Sequence, residues 1–319
     1  MKTETNNITN DLLTNKNVEK VSLYPQIPRY TLQKDVILSD KLDIQLQEAL
    51  TKIEYHEVIY HEWNFKEVDP TGKGIILNFY GPSGTGKTLT AEAFAGSLNK
   101  KFLAVGIADL ESKFMGETAK NIQYIFKVAK AHEAVLFFDE ADTLLGKRLS
   151  SVTQGVDNEV NACRSTMLTE LEKHEGIVIF ATNFAENYDK AFEARISHHI
   201  SFDLPDFQSR KEIWKKHLIE TIPLEEELDL FIDDLVNESE GLSGRDIRTC
   251  MRIALPKPLL ECKNQNLEIS SCKLKKLHLQ ESIEKVRKSH KEVGKLVNSS
   301  KNDIDISRNL LGINNKKED

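Results

Sequence analysis

Four largely apolar runs punctuate the first 206 residues: Gly74–Tyr80, Lys101–Gly106, Ala134–Phe138 and Gly176–Thr182. Each has the length of a strand, and Ala134–Phe138 above all is apolar at every position, which reads as burial on both faces. Between the runs the spacing becomes helical, with apolar residues three and four apart in Leu89–Leu98, and again over Ile122–Ala131 and Thr166–Lys173. Strands alternating with helices predict a parallel sheet with helices on both sides. Upstream, Leu42, Ile44, Leu46, Leu50 and Ile53 predict a helix from Ser39 that ends before the turn signal Asp69-Pro70-Thr71-Gly72. Past Asp206 the strand pattern stops, and Arg210–Leu218, Leu228–Ser239, Gly244–Leu255 and Leu274–Lys288 read as helices.

These patterns divide the chain into a flexible leader at 1–35, an α/β unit at 36–206, a small all-α unit at 207–297 and a polar tail at 298–319. The leader is rich in Asn, Thr and Lys and interrupted by Pro25 and Pro28. With 319 residues, 39% of them hydrophobic, the chain can bury one substantial core and a smaller one. A net charge of -7 and a pI near 5.8 argue against a dedicated nucleic-acid or anionic-membrane binder. The lysines at 273, 275, 276, 285, 288 and 291 alternate with Glu281, Glu284 and Glu292, as on a solvated helix face. Cys163, Cys250, Cys262 and Cys272 show neither CxxC spacing nor paired histidines and read as reduced thiols. No run approaches the ~18 apolar residues that span a bilayer, and the N-terminus lacks an apolar signal core, so the expected location is the cytoplasm.

The chemistry begins at Gly81-Pro82-Ser83-Gly84-Thr85-Gly86-Lys87-Thr88, which follows a predicted strand and opens, at Leu89, a predicted helix. That context makes the string a P-loop. Its glycines let successive backbone N–H groups face one concavity, beside the positive end of the helix. Lys87 then reaches the outer phosphates of a nucleotide and the Thr88 hydroxyl takes a Mg2+ ligand position. Phe138 leads into Asp139 and Glu140, two carboxylates at the end of a buried strand. Asp139 suits Mg2+ held through water, and Glu140 suits a general base that polarises an attacking water. Asn183, closing Ala181-Thr182-Asn183, offers a neutral amide to the γ-phosphate or to that water. No Asn-Lys-x-Asp string for reading guanine occurs, which disfavours GTP.

Together with Asp189–Ile196, Leu204-Pro205-Asp206 followed by Arg210, and Gly241–Ile247, these strings resemble the AAA ATPase family in order and spacing, over roughly residues 35–290. Stand-alone, single-module bacterial members are the most similar kind. The resemblance implies a P-loop NTPase sheet followed by a helical lid, and a ring, usually a hexamer, that hydrolyses ATP and remodels polypeptides through a central pore. Lys87 and Thr88 resemble the Walker A pair, Asp139 and Glu140 the Walker B pair, Asn183 the sensor-1 residue and Arg195 the arginine finger. Glu193 and Ala194 stand where a second arginine often precedes the finger, which leaves a one-arginine site. Gly244 and Arg245 resemble the sensor-2 turn, and Val36 and Ile37 the segment beside the adenine. Phe114 and Met115 fall where the family has its pore loop. Lys147, Arg148 and the loop to Gly155 suit either a second pore loop or a solvated loop. A regulatory ATPase switch acting on a separate protease or effector is the alternative to a threading machine.

Overall fold

The computed structural model describes residues 24–69, 74–106, 110, 117–145, 155–183 and 189–292. The chain divides into two compact units, Met1–Leu204 and Pro205–Asp319. The first is built on a parallel sheet of β1 (Ile75–Tyr80), β2 (Phe102–Gly106), β3 (Val135–Asp139), β4 (Ile177–Thr182) and β5 (His198–Ser201), in the order β2-β3-β4-β1-β5. Four of the strands are the four apolar runs. The fifth is not legible in the apolar pattern, which His198 and His199 break; among the described residues β5 pairs with β1 alone, at the edge of the sheet.

Why the central runs are continuously apolar is visible in their alternation. Leu136 and Phe138 of β3, with Val178 and Phe180 of β4, enter one buried cluster; Val135, Phe137, Ile177, Ile179 and Ala181 enter the other. The first face is covered by α4 (Glu117–Ala131) and α6 (Gly155–Lys173), through Ile122, Phe126, Met167 and Leu171, joined by Leu145 of the short α5 (Asp142–Leu145) and Phe192 of the short α7 (Lys190–Glu193). The second is covered by α3 (Lys87–Ser97) and α2 (Asp40–Glu54), through Phe94, Ala95 and Leu46. The Phe138 and Phe180 rings stack 5.3 Å apart at the end of β3 and β4. Each such fully buried ring is worth about 1.5–3 kcal/mol of transfer free energy, which fixes the strand ends that carry the chemistry.

Residues 24–35 correct the expectation of a flexible leader. Gln26 exchanges two 2.8 Å backbone hydrogen bonds with Phe102, extending the β2 edge in antiparallel sense. Arg29 donates to both carboxylate oxygens of Glu92 on α3, each at 3.0 Å. Leu32, within the short helix α1 (Leu32–Asp35), is buried in the core beneath α3. Backbone pairing and one ion pair hold this segment, and neither leaves an apolar period to read.

The second unit is helical: α8 (Phe207–His217), α9 (Ile232–Glu238), α10 (Gly244–Ala254), α11 (Pro256–Asn264) and α12 (276–292). Trp214, Leu235, Ile247, Met251 and Ile283 form its own core. Helix α11 had no counterpart in the sequence reading because two prolines mark it, yet Pro256 sits in its first turn, where proline is tolerated. The chain then doubles back through the turn Ile269–Ser271, and Cys262 and Cys272 form a disulfide with Cα atoms 6.0 Å apart. This corrects the expectation of four thiols; Cys163 and Cys250 are buried and not disulfide-bonded. No helix among the described residues is long and apolar enough to cross a membrane.

Candidate active site

The P-loop's course follows from what β1 and α3 leave room for. Gly81 leaves β1 at φ 140, and a Cβ there would lie 2.1 Å from the Phe202 carbonyl oxygen, so only glycine fits. Gly86 takes φ 98 as the residue from which α3 starts. The Gly81 N–H donates to the Thr182 carbonyl at 3.3 Å, fastening the loop to the end of β4. The first N–H groups of α3 have no acceptor within the helix, and they add positive potential to the concavity of the loop.

Lys87, the first residue of α3, folds back across that loop. Its Nζ donates to the Gly81 carbonyl at 2.6 Å, the Pro82 carbonyl at 2.9 Å and Asn183 Oδ1 at 3.0 Å. Beside it Thr88 Oγ1 donates to Asp139 Oδ2 at 3.1 Å. Asp139 Oδ1 accepts from the Glu140 N–H at 3.0 Å. Lys87, Thr88, Asp139, Glu140 and Asn183 are therefore gathered at the carboxyl edge of the parallel sheet, the edge at which such sheets bind ligands.

Glu140 has a left-handed backbone, φ 53, which for a non-glycine residue costs roughly 1–3 kcal/mol and must be imposed by its surroundings. The residue after it is held to β4, the Ala141 N–H donating to the Ala181 carbonyl at 2.9 Å. A hydroxyl and a carboxylate are hard oxygen donors of the kind Mg2+ takes when phosphate oxygens and waters complete its shell. Among the described residues no group of three or more His, Cys, Asp or Glu could hold a metal unaided. The residues present thus fit a Mg2+ that arrives with a nucleotide.

Arg195 is turned to its own chain. Its Nη1 donates to the Ala191 carbonyl at 2.6 Å, its Nη2 pairs with Glu172 Oε1 at the end of α6, and its Nε is buried with no hydrogen-bond partner among the described residues. None of these partners belongs to the P-loop. Glu172 is a residue the sequence reading did not single out, because nothing in the spacing joins it to an arginine 23 residues away. Val36 follows α1 and packs, half-buried, against the core beneath α3, with Ile37 half-buried beside it. Gly244 and Arg245 open α10 in the second unit, where Ser243 and Asp246 cap the helix reciprocally. Phe114, Met115, Lys147 and Arg148 lie outside the described residues.

Residues 77–204, from β1 to the end of the first unit, match the family model described as "ATPase family associated with various cellular activities (AAA)". Over those residues the chain belongs to the AAA ATPase family. The AAA match takes in Gly81–Thr88, Asp139, Glu140, Asn183 and Arg195. The chain is 36% identical over 231 residues to the cell division cycle protein 48 homolog of Archaeoglobus fulgidus, covering 68% of this chain and 30% of that protein. It is 36% identical over 183 residues to the proteasome-activating nucleotidase of Methanopyrus kandleri, covering 55% of this chain and 41% of that one. The FIGL-1 AAA domain, solved in complex with ADP, shares the fold at a TM-score of 0.66 and 21% identity, covering 87% of this chain and 90% of that one. This AAA chain thus spans well under half the length of both curated relatives.

Proposed function

We propose that the chain binds Mg-ATP at the P-loop and hydrolyses it, and that copies of the chain form a ring, a hexamer, that uses the hydrolysis to remodel or translocate polypeptides in the cytoplasm. The convergence of Lys87, Thr88, Asp139, Glu140 and Asn183 on one sheet edge carries this reading. The P-loop N–H groups and Lys87 hold the phosphates, and Val36, Ile37 and Leu89 lie along the path of the adenosine. Thr88 and Asp139 hold Mg2+, which when bound neutralises charge on the phosphate oxygens. Glu140 accepts a proton from the water that attacks the γ-phosphorus, and the bond to the bridging oxygen breaks, leaving ADP and phosphate. With Asn183 Oδ1 engaged by Lys87, its amide N–H groups are the donors that face phosphate or water.

Arg195 completes the site of a neighbouring copy, where its charge meets the negative charge that gathers on the transferred group. The helical region 207–297 acts as a lid whose Gly244 and Arg245 sense the nucleotide, and Phe114 and Met115 grip the polypeptide. The names of the relatives, a proteasome-activating nucleotidase and an ATP-dependent zinc metalloprotease FtsH 2 of Salinibacter ruber among them, support a polypeptide substrate and a protease or effector as partner. The test is Glu140→Gln, which leaves ATP binding intact and abolishes phosphate release; turnover at the unaltered rate would refute the assignment.

A further inference from the structure

The pairing of β3 with β4 stops at Phe138 opposite Phe180, and the next link between the two segments is the bond from Ala141 to Ala181. Asp139 still pairs with Gly106 of β2, whereas Glu140 lies beyond both ladders, between that pairing and the Ala141–Ala181 bond. One link further on, the Thr182 hydroxyl donates to Asp142 Oδ1. Thr182 is 1% exposed, so water does not compete for that hydroxyl. The same residue precedes Asn183 in the chain, and its carbonyl accepts from the Gly81 N–H at 3.3 Å.

We propose that Thr182 and Asp142 are positioning residues, a side-chain tie that forces Glu140 into its left-handed conformation and keeps it in register with Asn183 and the P-loop. The inference rests on the reaction assigned above to Glu140 and Asn183. The two ties act in series. The bond from Ala141 to Ala181 closes the excursion, and the Thr182–Asp142 pair prevents the segment after it from sliding back to relax Glu140. Without the side-chain tie the favourable backbone of Glu140 becomes accessible and its carboxylate swings away from the water it must polarise. Displacement of a catalytic group by about 1 Å costs rate, up to roughly 10²-fold, and not binding, because the phosphates are held by other residues.

The experiment compares Thr182→Val, which removes the hydroxyl at constant shape, and Asp142→Ala with the conservative pair Thr182→Ser and Asp142→Asn, each of which keeps the donor or the acceptor. For Thr182→Val and Asp142→Ala the expected result is a fall in kcat for ATP hydrolysis of about tenfold or more with the nucleotide Kd changed less than about threefold. The two conservative variants keep at least about half the unaltered kcat. A Thr182→Val chain with kcat within about twofold of the unaltered one overturns the proposal. A crystal structure of Thr182→Val decides it independently of turnover. Glu140 at negative φ supports the tie, and Glu140 still near its present φ of 53 overturns it. Absence of hydrolysis by the unaltered chain counts against the ATPase assignment alone and leaves the crystallographic arm to judge the tie.

Discussion

The Lys87 ammonium donates to Asn183 Oδ1 at 3.0 Å, joining the first residue of the P-loop helix to the residue that follows β4. The contact ties the group proposed to hold phosphate to the group proposed to read it, and alterations of the two are expected to separate binding from turnover.

Lys87→Ala removes the charge proposed to meet the outer phosphates and is expected to weaken ATP binding by about a hundredfold or more, the scale on which a hydrogen-bonded charge partner acts. Asn183→Ala leaves Lys87 two acceptors in the loop, the Gly81 and Pro82 carbonyls. Its binding should change little while kcat falls by roughly 10²-fold, as when one preorganised donor is removed. Titration with a fluorescent nucleotide and steady-state phosphate release distinguish the two patterns.

Gly81→Ala tests the steric argument for the loop. The new Cβ would lie 2.1 Å from the Phe202 carbonyl oxygen at a φ of 140. Strain of this kind destabilises by at least about 2 kcal/mol, and urea unfolding should show that loss together with lost nucleotide binding.

His174 makes stability depend on pH. Burial between α6 and β4, edge-on to Phe126, lowers its pKa from the usual 6.5 to about 4, chiefly by desolvation. The folded state thus resists a proton that the unfolded chain takes up at 6.5. Stability is full above that pH and declines as pH falls from about 6.5 towards 4, by roughly 2 kcal/mol between pH 7 and pH 5. The urea midpoint should drop over that interval, and the drop should shrink in His174→Asn.

How much of this was legible beforehand differs by element for physical reasons. Strands β1, β3 and β4 announce themselves because a central parallel strand must be apolar on both faces, as Val135–Phe138 is, and β2, at the end of the sheet order, because Phe102, Leu103 and Val105 are buried. The P-loop announces itself because its turn admits only glycine at Gly81. Strand β5 was missed since its hold on β1 is backbone pairing that two histidines tolerate. The hold of residues 24–35 on α3 depends on Arg29 meeting Glu92, and the Cys262–Cys272 disulfide on a turn that doubles back; neither is a matter of local period. The residue types of the site were readable from strand ends. The left-handed Glu140, the Lys87–Asn183 bond and the Glu172 partner of Arg195 were not, because each is created by which strands become neighbours.

The central claim is that one ATP-hydrolysing site is built from Lys87, Glu140 and Asn183 of one copy and Arg195 of another. A mixing experiment tests it most directly. Lys87→Ala and Arg195→Ala are each expected to be nearly inactive alone, the second by about 10³-fold or more, the scale of an arginine finger. Mixed and allowed to reassemble, they should regain ATP hydrolysis well above the sum of the separate rates, because some boundaries then join an intact Lys87 to an intact Arg195. Full activity of Arg195→Ala on its own, or a mixture no more active than its parts, would contradict the account.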